Sequence, residues 1–219
     1  MNYGDRQLSD LALSIPMVTE LFRKNRLDFC CGGKQTLKEA CAKRNLNLES
    51  FCEKLEELEK IPTTVKEVPF EEMPQFIISR YHDDLRRRFP ELIALAEKVE
   101  RVHSGHKSAP QGLADFLKNL SQEMILHMMK EENILFPLIQ SGRGSMALMP
   151  VKVMMAEHDS HGHQLEEIHR LTNDFIPPED ACTTWRSLYC GLEMLEKELM
   201  EHIHLENNVL FPWALTQGA

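Results

Sequence analysis

The sequence predicts an all-α protein, a four-helix bundle preceded by a small helical N-terminal domain. Three observations lead there. Beyond about residue 70, four long stretches repeat their apolar residues at the helical period and are parted by short breaker runs. No stretch alternates apolar and polar residues over a useful strand length. An 11-residue pattern also occurs twice, 75 residues apart, so the bundle reads as two similar helix pairs.

Composition bounds the function before any motif does. Of 219 residues, 42% are hydrophobic and 27% charged, and 25 basic against 34 acidic side chains give a formal net charge of -9. That mixture can bury a core and excludes a disordered chain. The only basic run, Arg86-Arg87-Arg88, is too short for a phosphate backbone, so nucleic acid is not an expected partner. No apolar run reaches the roughly 18 residues of a membrane span, and Met1-Asn2-Tyr3-Gly4-Asp5-Arg6 lacks the basic-then-apolar order of a signal peptide. A cytoplasmic location without membrane attachment is the expectation. The six cysteines (30, 31, 41, 52, 182 and 190) are then expected to be reduced, and without a CxxC pair they give no thiolate zinc site.

Residues 1–60 read as short helical patches broken by Pro16, Gly32 and Gly33, closing on an amphipathic helix of alternating charge from Leu48 to Lys60. Residues 61–69 read as a linker, because Pro62, Pro69 and the β-branched Thr63 and Thr64 oppose a helix. Residues 70–219 form the second domain. Its helices are expected over about 70–102, 111–140, 147–173 and 180–215, parted by Ser104-Gly105 with Pro110, by Ser141-Gly142-Arg143-Gly144 and by Ile176-Pro177-Pro178. Such short connections force antiparallel neighbours. Pro137 and Pro212 are expected to kink or end their last turns.

The repeat carries the chemistry. His127 to Pro137 returns as His202 to Pro212 with the spacing HxxxExNxLFP, and Tyr81-His82-Asp83 is echoed by Glu157-His158-Asp159. A histidine and a glutamate at i and i+4 share one face of a helix. At about 1.5 Å per residue, His82, His127, His158 and His202 each lie roughly 17 to 20 Å from the same end of the bundle. His82, His127, Glu131, His158, His202 and Glu206 therefore meet at one level as candidate metal ligands, since such groups are costly to bury without a cation. Imidazole and carboxylate without thiolate suit zinc, manganese, copper or iron; six ligands in a bundle core point to two ions bridged by the glutamates, as proteins arrange for iron or manganese.

Other residues are assigned around this set. Glu123 and Glu198 lie four residues before His127 and His202, and with Glu157 they are candidate outer or channel carboxylates. Met128, Met129, Met154 and Met155 read as core filler, and Leu135, Phe136, Leu210 and Phe211 as core. His103, His106, His161, His163, His169 and His204 lack a counterpart in the other half or fall off the ligand face, and are assigned to the surface. Cys30-Cys31, followed by two glycines at a helix edge, is expected to be exposed and partly thiolate, a redox or transfer pair for iron, nitric oxide or an oxidising equivalent. Cys41, Cys52, Cys182 and Cys190 are expected to be structural.

Asp28-Phe29-Cys30-Cys31-Gly32-Gly33-Lys34-Gln35-Thr36-Leu37 and both HxxxE segments resemble the haemerythrin-like di-iron proteins that repair iron-sulfur clusters, the RIC, ScdA or YtfE family. The resemblance spans the whole chain. It implies a haemerythrin-like fold for the bundle and two non-haem Fe ions per chain, held by His82, His127, His158 and His202 and bridged by Glu131 and Glu206. It implies repair of clusters damaged by nitrosative or oxidative stress, with damaged iron-sulfur proteins as partners and nitric oxide or dioxygen as small ligand. Oxygen-carrying haemerythrins look related but have a further HxxxH, where this chain has Gly162 four residues after His158. Nitric oxide reduction at the centre and a haemerythrin-type sensor or store of oxygen or iron stay open as alternatives, as does a homodimer. The cysteine-bearing domain favours repair, because an oxygen store needs no thiols, and the lack of a flavin or ferredoxin motif weighs against a self-sufficient reductase.

Overall fold

The computed structural model describes residues 2–61 and 68–217. Among these residues every regular element is helical, and one isolated bridge pairs Gln7 with Thr36. No helix among them is long and apolar enough to cross a membrane. The expected linker over 61–69 falls mostly outside the described residues.

Four short helices make the N-terminal unit: α1 (Leu8–Ser14), α2 (Val18–Lys24), α3 (Leu37–Lys43) and α4 (Leu48–Glu59). A capping box starts α3, the Thr36 hydroxyl accepting from the Glu39 N–H while the Glu39 carboxylate accepts from the Thr36 N–H. Asn47 caps α4 through the Ser50 N–H. Their apolar faces meet at Phe22, whose ring lies 6.0 Å from that of Phe29 and 6.1 Å from that of Phe51. Cys30 and Cys31 sit on the loop between α2 and α3, not at a helix edge. The Asp28 carboxylate holds that loop by accepting the N–H groups of Cys30, Cys31 and Gly32 at 3.2, 2.9 and 2.8 Å. A Cβ on Gly33 would come within 2.5 Å of the Phe29 carbonyl oxygen, so the loop closes only with glycine there.

The bundle consists of four antiparallel rods. The first is α5 (Met73–Ile77), a π turn (Ile78–His82) and α6 (Asp83–Val102); the second is α7 (Leu113–Lys130), a π turn (Glu131–Leu135) and α8 (Phe136–Gln140). The third is α9 (Gly144–Thr172), and the fourth is α10 (Thr183–Leu205), a π turn (Glu206–Leu210) and α11 (Phe211–Thr216). Rod α6 packs on α7 and α10, and α9 packs on α7, α8 and α11. Pro137 and Pro212 do not end their rods. Each follows a turn in which the Phe136 or Phe211 N–H reaches back five residues, to the Glu131 or Glu206 carbonyl, so the wider turn absorbs the missing proline N–H.

The apolar interior has two parts. One, around Leu85, Phe89, Leu117 and Leu192, runs without a break into the N-terminal helices. The other, around Ile77, Leu135, Phe136, Leu210 and Phe211, closes the end of the bundle beyond the π turns. Arginines fasten the N-terminal unit to α9, the turn after it and α10: Arg23 meets Glu193 and Glu196 at 3.2 Å each, Arg26 meets Asp174 at 2.8 Å and also Glu166, and Arg44 meets Glu166 at 2.7 Å.

Several surface assignments are corrected by the structure. His161, His169 and His204 are buried, His204 beneath the Phe29 ring at 5.4 Å and His169 against Glu196 at 2.6 Å. His103 and His106 are half-buried on Trp185, and only His163 of the six is fully exposed. Met129 is exposed rather than core, since its side of α7 faces away from the other rods. Cys182 and Cys190 are exposed and carry no core packing.

Candidate metal centre

All six residues selected from the repeat converge between the two apolar parts, and none is more than 1% exposed. Two of the π turns begin at Glu131 and Glu206 and the third ends at His82, so the widened turns lie at the level of the centre. The Nε2 atoms of His82 and His202 are 3.1 Å apart, and those of His127 and His158 are 3.0 Å apart. Glu131 lies 3.4 Å from His82 and 3.2 Å from His127, and Glu206 lies 3.2 Å from His158 and 3.1 Å from His202. Two four-residue clusters result, His82-Glu131-His202-Glu206 and His127-Glu131-His158-Glu206, sharing both glutamates.

This donor set suits cations. Both oxygens of Glu131 and of Glu206 are buried without a hydrogen-bond partner among the described residues. An anionic pair left so would be prohibitive in a dry interior. Burial raises the affinity of Glu131 for a proton, but His127 and the neighbouring imidazoles outweigh it and hold the carboxyl well below the usual range; Glu206 is lowered too, its imidazoles outweighing burial and the Glu131 charge. Two nitrogens bound about 2.1 Å from one ion at about a right angle would lie about 3 Å apart, which is the spacing of each imidazole pair.

The outward nitrogens decide which lone pairs face inward. The Nδ1–H of His82 donates to Glu132 at 2.7 Å, that of His127 to Glu157 at 2.9 Å, and that of His158 to the Asn207 side-chain oxygen at 2.8 Å. With Nδ1 so engaged, each ring turns its Nε2 toward the cluster. Arg86 backs Glu132 at 2.7 Å, and Lys130 backs Glu157. The Asn207 amide donates in turn to the Cys30 carbonyl at 3.1 Å. Phe136 and Phe211 stack on His82 and His158 at 5.9 and 6.0 Å.

Of the proposed outer carboxylates, Glu157 reaches a ring nitrogen of the cage. Glu123 does not: it accepts from Gln164, and with Glu157 and His161 it lines a cleft of about 220 Å³ beside His127. Glu198 pairs with Arg80 at 2.5 Å. Glu132 and Asn207 were missed by the sequence reading, although both occupy the repeat position directly after a cage glutamate.

Cys30 is not exposed. Its Sγ lies 3.6 Å from that of Cys31, and the Cys31 thiol, burial and the Asp28 charge all push its own thiol well above the usual range, so it stays protonated. Cys31 is half-buried and donates to the His158 carbonyl at 3.2 Å; its sulfur stands 3.7 Å from where a Cβ on Gly162 would lie. Neither sulfur belongs to the two His–Glu clusters.

Comparison with known proteins follows this division of the chain. Residues 73–214 match the haemerythrin HHE cation-binding domain, and residues 4–59 match ScdA_N, a domain of unknown function. A protein of Dickeya chrysanthemi named iron-sulfur cluster repair protein YtfE is 52% identical over 218 residues, covering 98% of this chain and 99% of the relative. Proteins of the same name from Yersinia pseudotuberculosis and Musicola paradisiaca are each 50% identical over 218 residues, covering 98% of this chain and 99% and 98% of the relatives.

Proposed function

We propose a function from this premise: the chain belongs to the haemerythrin HHE cation-binding family and, over nearly its full length, to the iron-sulfur cluster repair proteins within it. It is a di-iron protein that restores iron-sulfur clusters damaged by nitrosative or oxidative stress, with the damaged proteins as its clients. The observation that carries this reading is the convergence of paired imidazole nitrogens on four partnerless carboxylate oxygens.

His82 and His202 would hold one ion and His127 and His158 the other, with Glu131 and Glu206 available to both. Four imidazoles and two shared carboxylates would supply about eight bonds against about twelve for two octahedral ions, which would leave exchangeable positions. Bound iron supplies one-electron chemistry, a binding position for nitric oxide or dioxygen, and iron itself for rebuilding a cluster. The chain's own groups keep the site dry and the ligands aligned: Phe136 and Phe211 shield the imidazoles, while Glu132, Glu157 and Asn207 fix their tautomers.

Iron content, together with recovery of a nitric oxide-damaged cluster enzyme, tests the reading. Wild type should hold about two irons per chain, and Glu131→Ala or Glu206→Ala should lose most of the metal and the repair with it. Tight retention of one zinc with no iron uptake would refute it. Steady nitric oxide consumption with a simple reductant and no effect on damaged clusters would favour the reductase alternative.

A further inference from the structure

The two halves of the cage match in register and differ in chemistry. Relating the halves by the repeat places His82 on His158, His127 on His202, Glu132 on Asn207 and Glu157 on Tyr81. The contacts obey that relation until the last pair. His82 has Glu132 where His158 has Asn207, at 2.7 and 2.8 Å. His127 has Glu157 at 2.9 Å, but His202, at the matching position, has Tyr81. The Tyr81 ring stacks nearly parallel to the His202 imidazole, with centroids 5.5 Å apart and planes 10° apart. The Nδ1–H bond lies in the imidazole plane, so a ring parallel to that plane presents no acceptor to it. His202 Nδ1 is buried with no hydrogen-bond partner among the described residues. Arg80 covers the Tyr81 ring at 4.9 Å from its centroid and fastens the stack.

An imidazole that donates to a carboxylate or amide is held in orientation and is a stronger metal ligand, and loss of that partner typically costs about 10- to 100-fold in metal affinity. Both imidazoles of the His127/His158 position have such a partner; in the His82/His202 position only His82 does. The shared glutamates cannot create the difference, because each belongs to both clusters.

We propose that the two ions are held unequally, that the His82/His202 position is the weaker and releases its ion first, and that Tyr81 is the positioning residue that makes it so. The inference rests on the two-ion reading above and gives it a direction: one ion is available for transfer while the other keeps the cage assembled.

The test is anaerobic titration of the full-length metal-free protein with Fe(II) against a competing chelator, with ⁵⁷Fe added as the first or the second equivalent so that Mössbauer spectra separate the positions. Wild type should bind in two steps separated by about 10- to 100-fold in Kd. Tyr81→Glu, which restores the residue type found at 157, should tighten the weaker step by a similar factor and leave the stronger one in place. Glu157→Gln at a half-exposed position of α9 should weaken the stronger step and narrow the gap, and keeps the test valid if Tyr81→Glu does not fold. Tyr81→Phe, which keeps the stack and adds no acceptor, should leave both steps where they are. Two ions bound in one step by wild type, an unchanged weaker step in folded Tyr81→Glu, or a wider gap in Glu157→Gln would overturn the inference and leave the two-ion reading standing. Fewer than two ions in wild type would overturn both.

Discussion

His204 shows what one side chain contributes when a second domain covers it. It lies under Phe29, the Asn208 amide stands 3.0 Å from its Nδ1, and burial pushes its pKa down to about 4. An unfolded histidine titrates near 6.5. Above that pH both states are neutral; between about 6.5 and 4 the unfolded chain takes up a proton that the folded one refuses, so stability falls with falling pH. The full effect is about 3 kcal/mol at the low end. Urea unfolding of metal-free protein should show this slope, and His204→Gln should flatten it; an unchanged slope would mean that His204 is already charged when folded. His161, lowered to about 4 mainly by burial, adds a share of the same sign. The six cage residues were legible because the sequence states them twice. The burial of His169 and His204 was not, because periodicity within the bundle cannot show which of its outer faces the N-terminal unit covers. Glu132 and Asn207 escaped because they bond across to another rod, a pairing that no spacing along one helix encodes.

At the scale of elements, the π turns are the part that helical periodicity could not supply. Four rods and their order follow from the breaker runs, and the observed ends depart from the expected ones by a few residues. A wide turn adds one residue without interrupting the helix, so the apolar pattern continues on either side with only a shift of phase. Deleting the exposed Ile134 from the second turn should restore ordinary helical bonding and rotate the rest of the rod by about 100°. Phe136 would then leave His82, and its lost burial should cost about 3 to 5 kcal/mol. Helical content by circular dichroism should be retained while the iron content drops. Retained two-ion binding would show that the turn does not set the cage geometry.

For the whole molecule, the shared apolar core and the arginine contacts join units that the sequence presents as separate. Composition shows where the texture changes near residues 61–69, but not which surfaces then meet. Metal-free protein should melt lower than iron-loaded protein, since ligands bound only by the folded state add to its stability. It should melt in a single transition, because the N-terminal helices share their core with α6 and α10; two resolved transitions in calorimetry would contradict that coupling. Replacing both Cys30 and Cys31 by serine should leave iron content and its spectrum unchanged while lowering cluster repair. Loss of iron in that variant would make the thiols ligands.

The crossing of ligands between the helix pairs reaches beyond binding. Each cluster takes one histidine and one glutamate from the pair containing α7 and one of each from the pair containing α10. A chain with only one pair formed therefore offers any ion half a coordination set, so it competes poorly for iron with the cell's other ligands. Metal uptake would then act as a proofreading step for assembly: copies arrested midway would draw little from the free pool, and a bound ion would certify that both halves have come together.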